Sequence, residues 1–275
     1  MNTNKARILF VLIVIAVFLT SLGTYNTLLA DTTDAAEKSK ALKIVIDPGH
    51  GGKAPGGVGP HGEKEKDITL EVGRILAKRL SDEGVEVFLT RDNDTYIPLE
   101  ERTAFANKHN ADLFVSIHVN ATEARYRDGV ETYFLNLTTD ASSNKVAERE
   151  NAMSSSSMQG LHLIIKDLML NAKINESSRF ATFTQNAIIS SLRKTGYTGK
   201  DLGVKQAPFY VLMGAQMPAI LIEMGFITNS ADCMLLHNNA HLETIIDGII
   251  GGIRTFMTTS SYVYNNGIHE DEGLK

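Results

Sequence analysis

The sequence predicts an α/β protein: a single domain with a mostly parallel twisted sheet flanked by helices. Short β-branched runs alternate with helix-period segments between residues 43 and 135. A strong apolar run at 218–223 and a helix-period run at 241–257 add a further strand and a closing helix. No internal repeat and no second domain is evident beyond residue 42.

The elements follow in order. Lys5 and Arg7 precede an apolar run at 8–19, and polar, small-residue-rich sequence follows it. A positive segment before such a run is an export signal. The run falls short of the ~20 apolar residues of a full membrane span. Residues 1–30 are therefore read as a signal peptide or a membrane anchor, with the remaining chain outside the cytoplasm, in the periplasm or secreted. Cleavage after Ala30 would put Leu28 where a small residue is expected. Residues 31–41 read as a linker and 42–258 as the folded domain.

Residues 43–47 form a β-branched run that stops at Pro48-Gly49, and a Gly-rich loop runs on to Gly62. Asp67 is a plausible N-cap for a helix with Ile68, Val72, Ile75, Leu76 and Leu80 at helical spacing, ended by Gly84. Strands are expected at 85–90, 112–119 and 129–135, with a helix at 98–110 opened by Pro98. From 144 to 192 the pattern is mostly helical, broken at Ser154–Ser157, with 175–192 the better helix. Residues 203–212 read as loop plus a short strand. The polar residues 259–275 read as a flexible tail.

Lys and Arg total 27 against 32 Asp and Glu, a net charge of -5. That argues against nucleic-acid binding, which calls for a basic patch. The one cysteine, Cys233, excludes an intramolecular disulfide and a thiolate metal cluster. It is expected to be a small buried residue.

The chemistry-bearing residues fall at strand ends. His50 follows the first strand in "IVIDPGHGG", His118 ends the third in "DLFVSIHVNA", and Glu223 ends the late strand in "PAILIEMGF". Glu65 stands just before the first helix in "EKEKDITL". Open α/β sheets bind ligands beyond the carboxyl ends of their strands, so these side chains map to one edge. Two His and a Glu suit a catalytic zinc, which takes three protein ligands and keeps a position for water. A second Glu beside that water can carry its proton to a leaving amine. His61 reads as a surface residue, and His109, His162, His237, His241 and His269 as helical or tail residues. Arg91 is read as an ion-pair or substrate-orienting residue. Asp47 is read as fixing the turn or orienting a ligand His. The loop glycines lack a phosphate-loop pattern and are expected to permit close backbone approach.

The segments "IVIDPGHGG", "GEKEKDITL", "LTRDND", "ERTAFANKHNADLFVSIHVNA", "GVETYFLN" and "GVKQAPFYVLMGAQMPAILIEMGFITN" together resemble the zinc-dependent N-acetylmuramoyl-L-alanine amidases of the third amidase family. The likeness spans residues 43–257; each segment alone is weak and the set is specific. It implies a cell-wall enzyme that hydrolyses the amide between N-acetylmuramic acid and L-alanine in peptidoglycan, using a Zn2+ ion. It implies His50, Glu65 and His118 as ligands and Glu223 as the catalytic residue. Glu63 also precedes a Lys, but the family pattern puts the ligand directly before Lys-Asp. Similar amidases of Gram-negative bacteria carry a helix that covers the zinc until an activator protein displaces it. Residues 144–178 are long enough for such a regulatory insert, with an apolar patch from Leu161 to Leu170; an ordinary helical connection is the other reading. The expected state is a monomer. The competing functions are another exported zinc peptidase or amidase acting on the stem peptide, and a non-catalytic wall-binding module. The last is disfavoured by the presence of all four site residues.

Overall fold

A computed structural model describes residues 42–152 and 173–265, with side chains through 259. The chain runs β1 (Lys43–Pro48), α1 (Glu65–Asp82), β2 (Glu86–Leu89), α2 (Leu99–Lys108), β3 (Leu113–Asn120), β4 (Val130–Leu135) and α3 (Ala141–Asn151). It resumes with α4 (Lys173–Lys194), β5 (Asp201–Ala207), a 3-10 turn (Tyr210–Leu212), β6 (Ala219–Phe226), α5 (Ser230–Leu236) and α6 (Asn239–Asn265). The export segment, the linker, the Ser154–Ser157 break and the Leu161–Leu170 patch lie outside the described residues. Among the described residues no helix is long and apolar enough to cross a membrane.

One six-stranded sheet has the order β2-β1-β3-β6-β4-β5. All its pairings are parallel except β4 against β6. The central strands β3 and β6 are buried at every position, which is why they read as mostly apolar runs, interrupted by Ser116, His118 and Asn120 in β3 and by Glu223 in β6. Their side chains alternate between the two faces. Ile44, Ile46, Val115 and Ile222 join one core with α1, α4 and α6, while Val45, Phe114 and Leu221 join another with α2, α3 and the 3-10 turn.

Three elements differ from the sequence reading. The first helix starts at Glu65, with Lys64 at the N-cap position, so Asp67 lies in its first turn and is not the cap. β5 is a full strand at 201–207, paired parallel to β4, where loop and a short strand were expected. It lies at the sheet edge and is half-exposed, so Asp201, Gly203, Lys205 and Gln206 are tolerated there without an apolar pattern. The closing helix α6 extends to Asn265, past the predicted end at 257. Helices α4 and α6 touch backbone to backbone. A Cβ on Gly252 would sit 2.4 Å from Thr184 Cα, and one on Gly248 2.4 Å from Ile188 Cα.

Candidate metal centre

β1 and β3 run side by side and in parallel, so both deliver their last residues to the same edge. The chain leaves β1 through Pro48 and Gly49 and places His50 in the left-handed region at φ 61°. A non-glycine residue rarely holds that conformation, so the surroundings must fix it. Arg102 does so: it is buried, with one guanidinium nitrogen donating to His50 O at 2.8 Å and another to Pro48 O at 2.9 Å. Arg91 donates to Pro48 O and Gly49 O at 2.9 and 2.8 Å, and to Lys66 O at 2.8 Å. It grips backbone carbonyls rather than pairing with a carboxylate or facing substrate. Asp47 fixes this corner by pairing with Arg102 at 2.7 Å and accepting from Thr90 and Ser116 hydroxyls. It makes no hydrogen bond to either His.

Glu65 opens α1, where its charge also suits the helix dipole. Oε2 accepts from Gly57 N–H at 2.7 Å and Oε1 from Val119 N–H at 2.9 Å. Glu63 instead sits in the exposed loop and accepts from His61 N–H. Gly56 has φ 71°, and a Cβ there would lie 2.5 Å from Glu65 Oε2 and 2.6 Å from His50 Cδ2. A Cβ on Gly49 would fall 2.6 Å from the His118 ring. The Gly-rich loop thus wraps the site at a distance no side chain allows.

The structure brings His50, Glu65 and His118 together, as the sequence predicts, and adds a fourth group, Glu150 of α3. One donor atom from each lies within 4.8 Å of all the others. His50 Nε2 is 3.1 Å from Glu65 Oε2 and 3.0 Å from Glu150 Oε2. His118 Nδ1 is 3.0 Å from Glu65 Oε1 and 3.1 Å from Glu150 Oε2. His50 Nε2 and Glu150 Oε2 are buried without an aligned hydrogen bond. Converging lone pairs of two imidazoles and two carboxylates fit a divalent transition ion.

Burial works against charge on every member, and the neighbours prevail. Glu65 and Glu150 lift His50 to about 9. Glu150 and Glu65 likewise raise His118. Glu65 is held at about 2, chiefly by His50, and Glu150 is held low, chiefly by His118.

Glu150 was missed because the sequence marks 144–178 as an insert without saying which residue reaches inward. The signal was there: Ser143, Ala147 and Glu150 form the buried stripe of α3, and a carboxylate in such a stripe needs partners. Asp140 caps this helix by accepting from Ser143 N–H at 2.7 Å. Beside Glu150, Arg149 reaches to 3.7 Å from Glu223.

Glu223 lies on β6, in register with His118 on one side and Glu131 on the other. It is fully buried and neither carboxylate oxygen has a hydrogen-bond partner. Burial foremost, with Glu150, pushes its pKa well above the usual range, against the pull of Arg149 and His118. Cys233 is buried, and burial raises its thiol to about 11, as suits an inert residue. His61 is exposed and outside the group.

Metal-competent side chains gathered at the carboxyl edge of a parallel sheet, around a carboxyl group pushed up by burial, define a hydrolase-type centre. The chain belongs to the N-acetylmuramoyl-L-alanine amidase family, whose model matches residues 44–255. An uncharacterised Bacillus subtilis protein, YqiI, is 36% identical over 228 residues, 83% of this chain and 91% of YqiI. Escherichia coli (strain K12) N-acetylmuramoyl-L-alanine amidase AmiA is 31% identical, over 83% of this chain and 82% of AmiA. AmiC of E. coli strain CFT073 is also 31% identical, over 84% of this chain but only 57% of AmiC. The crystal structure of N-acetylmuramoyl-L-alanine amidase from Clostridium difficile 630 matches with a TM-score of 0.63 at 29% identity, covering 80% of this chain and 99% of that one.

Proposed function

We propose that the protein hydrolyses the amide joining N-acetylmuramic acid to L-alanine in peptidoglycan, with His50, Glu65 and His118 holding a zinc ion and Glu223 as the catalytic acid–base group. The reading rests on one observation: two imidazoles and a carboxylate from distant stretches of chain converge beside the buried carboxyl of Glu223. Zinc would supply Lewis-acid polarisation of the carbonyl and of a water. Glu223, with its raised affinity for a proton, takes one from the attacking water and delivers it to the departing L-alanine nitrogen. An amide needs that second act because an unprotonated amide nitrogen leaves poorly. Backbone N–H groups of Gly57 and Val119 orient the Glu65 carboxylate, so the Gly-rich loop and β3 fix it before substrate arrives. The N-terminal export segment places the enzyme outside the cytoplasm.

Purified peptidoglycan digested with and without a chelator, then read by mass spectrometry, tests the reaction. Free stem peptides with an L-alanine amino end are expected only when metal is present. Cleavage inside the stem peptide would instead indicate a peptidase.

The helix α3 is the gate of this site, and Glu150 is its plug. It stands within 3.1 Å of both His50 and His118, where a fourth ligand or substrate would have to enter. A partner protein that draws off the 144–178 segment would remove it. Glu150→Ala is expected to retain metal on the other three groups and to raise basal turnover several-fold. Steady-state rates with metal analysis check this; an unchanged or lower rate in a folded, metal-loaded variant counts against the plug.

A further inference from the structure

A cavity of about 390 Å³ is lined by Asn120, Glu131, Tyr133, Phe226 and, from α3, Lys145 and Arg149, the last of which also pairs with Glu150 of the centre. Asn120 is two residues past His118 on β3, and Glu131 is the register partner of Glu223. Both are almost wholly buried. The Glu131 carboxylate accepts from three donors: Asn120 Nδ2 at 2.6 Å, Tyr133 Oη at 2.9 Å and Lys205 Nζ at 2.5 Å. A carboxylate engaged this way offers only acceptors, so it settles which end of the Asn120 amide faces it. The amide's other end, Oδ1, is left buried with no donor. A buried acceptor without a partner costs roughly 1–3 kcal/mol, and native structures rarely tolerate one without a function.

We propose that Asn120 binds the substrate, its Oδ1 accepting a backbone N–H of the leaving stem peptide, and that Glu131 is the positioning residue that fixes the Asn120 amide. This rests on the amidase reading of the centre. Two residues of the cavity wall meet Glu223, Glu131 as its register partner and Arg149 at 3.7 Å. Glu223 protonates the leaving nitrogen, so the peptide side of the scissile bond is the part that reaches the cavity. A peptide N–H is a donor and Oδ1 is an acceptor; the sugar lactyl carbonyl, an acceptor itself, cannot serve. The wall contributed by α3 means that moving this helix uncovers the metal centre and the peptide subsite together. Lys205 and Tyr133 hold Glu131 in place from β5 and β4, which gives the edge strand β5 a part in the site.

The test uses the full chain carrying Glu150→Ala as parent. Asn120→Ala is expected to lower kcat/KM on a soluble muramoyl-peptide about five- to tenfold, one hydrogen bond's worth, with metal content and melting temperature within error of the parent. In Glu131→Gln the Lys205 ammonium, a donor only, claims the amide oxygen and leaves the NH2 facing Asn120, so Asn120 turns round and the same loss is expected. The double variant should be no slower than Asn120→Ala, because Glu131 acts through Asn120. A purely structural Glu131 would instead give additive losses and a lower melting temperature. Calorimetric binding of the free stem peptide, which needs no turnover, should weaken about tenfold in Asn120→Ala. Parental kcat/KM and parental peptide affinity in Asn120→Ala overturn the proposal, as does metal loss that explains the whole effect or a parent that binds no peptide. A parent that binds the peptide but releases no L-alanine ends overturns the amidase reading and leaves the subsite standing.

Discussion

Glu223→Ala is expected to lose at least about 10²-fold in turnover while keeping its metal, the usual contribution of a positioned acid–base group. The separation of these two effects is the point of the experiment. Glu223 makes no hydrogen bond and meets Arg149 only as a 3.7 Å ion pair, so its removal takes no hydrogen-bond partner from His50, Glu65 or His118. It also removes a buried carboxyl whose ionised form burial and Glu150 disfavour. Glu223→Gln should be equally slow, since an amide cannot shuttle a proton. If either variant releases L-alanine ends as fast as the parent, the role assigned to Glu223 is wrong. If metal is lost along with activity, Glu223 belongs to the metal's hold instead.

How far the sequence reveals this site follows from how each residue is reached. His50 follows the β1 run, and His118 and Glu223 are the first ionisable residues in runs buried at every position, so the break in the apolar pattern marks them, although β3 and β6 do not end there as expected but continue to Asn120 and Phe226. Glu65 is marked by the helix that starts with it. Glu150 depends on how α3 docks over the sheet edge, a tertiary event that no local pattern fixes. Asn120 and Glu131 are likewise ordinary polar positions in strand runs until β4 is known to lie antiparallel to β6, which sets Glu131 beside Glu223. β5 escaped because an edge strand need not be apolar on both faces, so Asp201, Gly203 and Lys205 do not look like sheet. Arg102 read as one polar residue of a helix, and only the fold shows it spanning 55 positions to Asp47.

Arg102→Ala is expected to cost about 3–5 kcal/mol, the penalty for leaving one member of a buried ion pair uncompensated. Asp47 is fully buried and retains only the Thr90 and Ser116 hydroxyls once the guanidinium is gone. His50 O loses its guanidinium donor as well, while Pro48 O keeps only Arg91. Arg102→Lys should recover little, because one ammonium cannot reach Asp47 and the carbonyls of Ile97, Pro48 and His50 together. The pH dependence gives the sharper test. Burial would raise the Asp47 carboxyl, but Arg102 and the two hydroxyls hold it below its ordinary value. A depressed folded pKa contributes stability above the unfolded value of about 4, and that contribution fades as pH falls through the folded pKa. In Arg102→Ala the sign reverses: burial without the cation raises the Asp47 pKa, so acid favours the folded state at this residue. Urea denaturation of both chains with metal chelated, at pH 7 and near pH 4, should therefore show the gap between them narrowing in acid. A gap that stays constant would mean that Asp47 and Arg102 are not coupled. Metal affinity reads the consequence for function, since the strained His50 backbone loses the hydrogen bond that holds it. Weaker metal binding in Arg102→Ala under conditions where it is still folded would tie the buried pair to the centre it underlies.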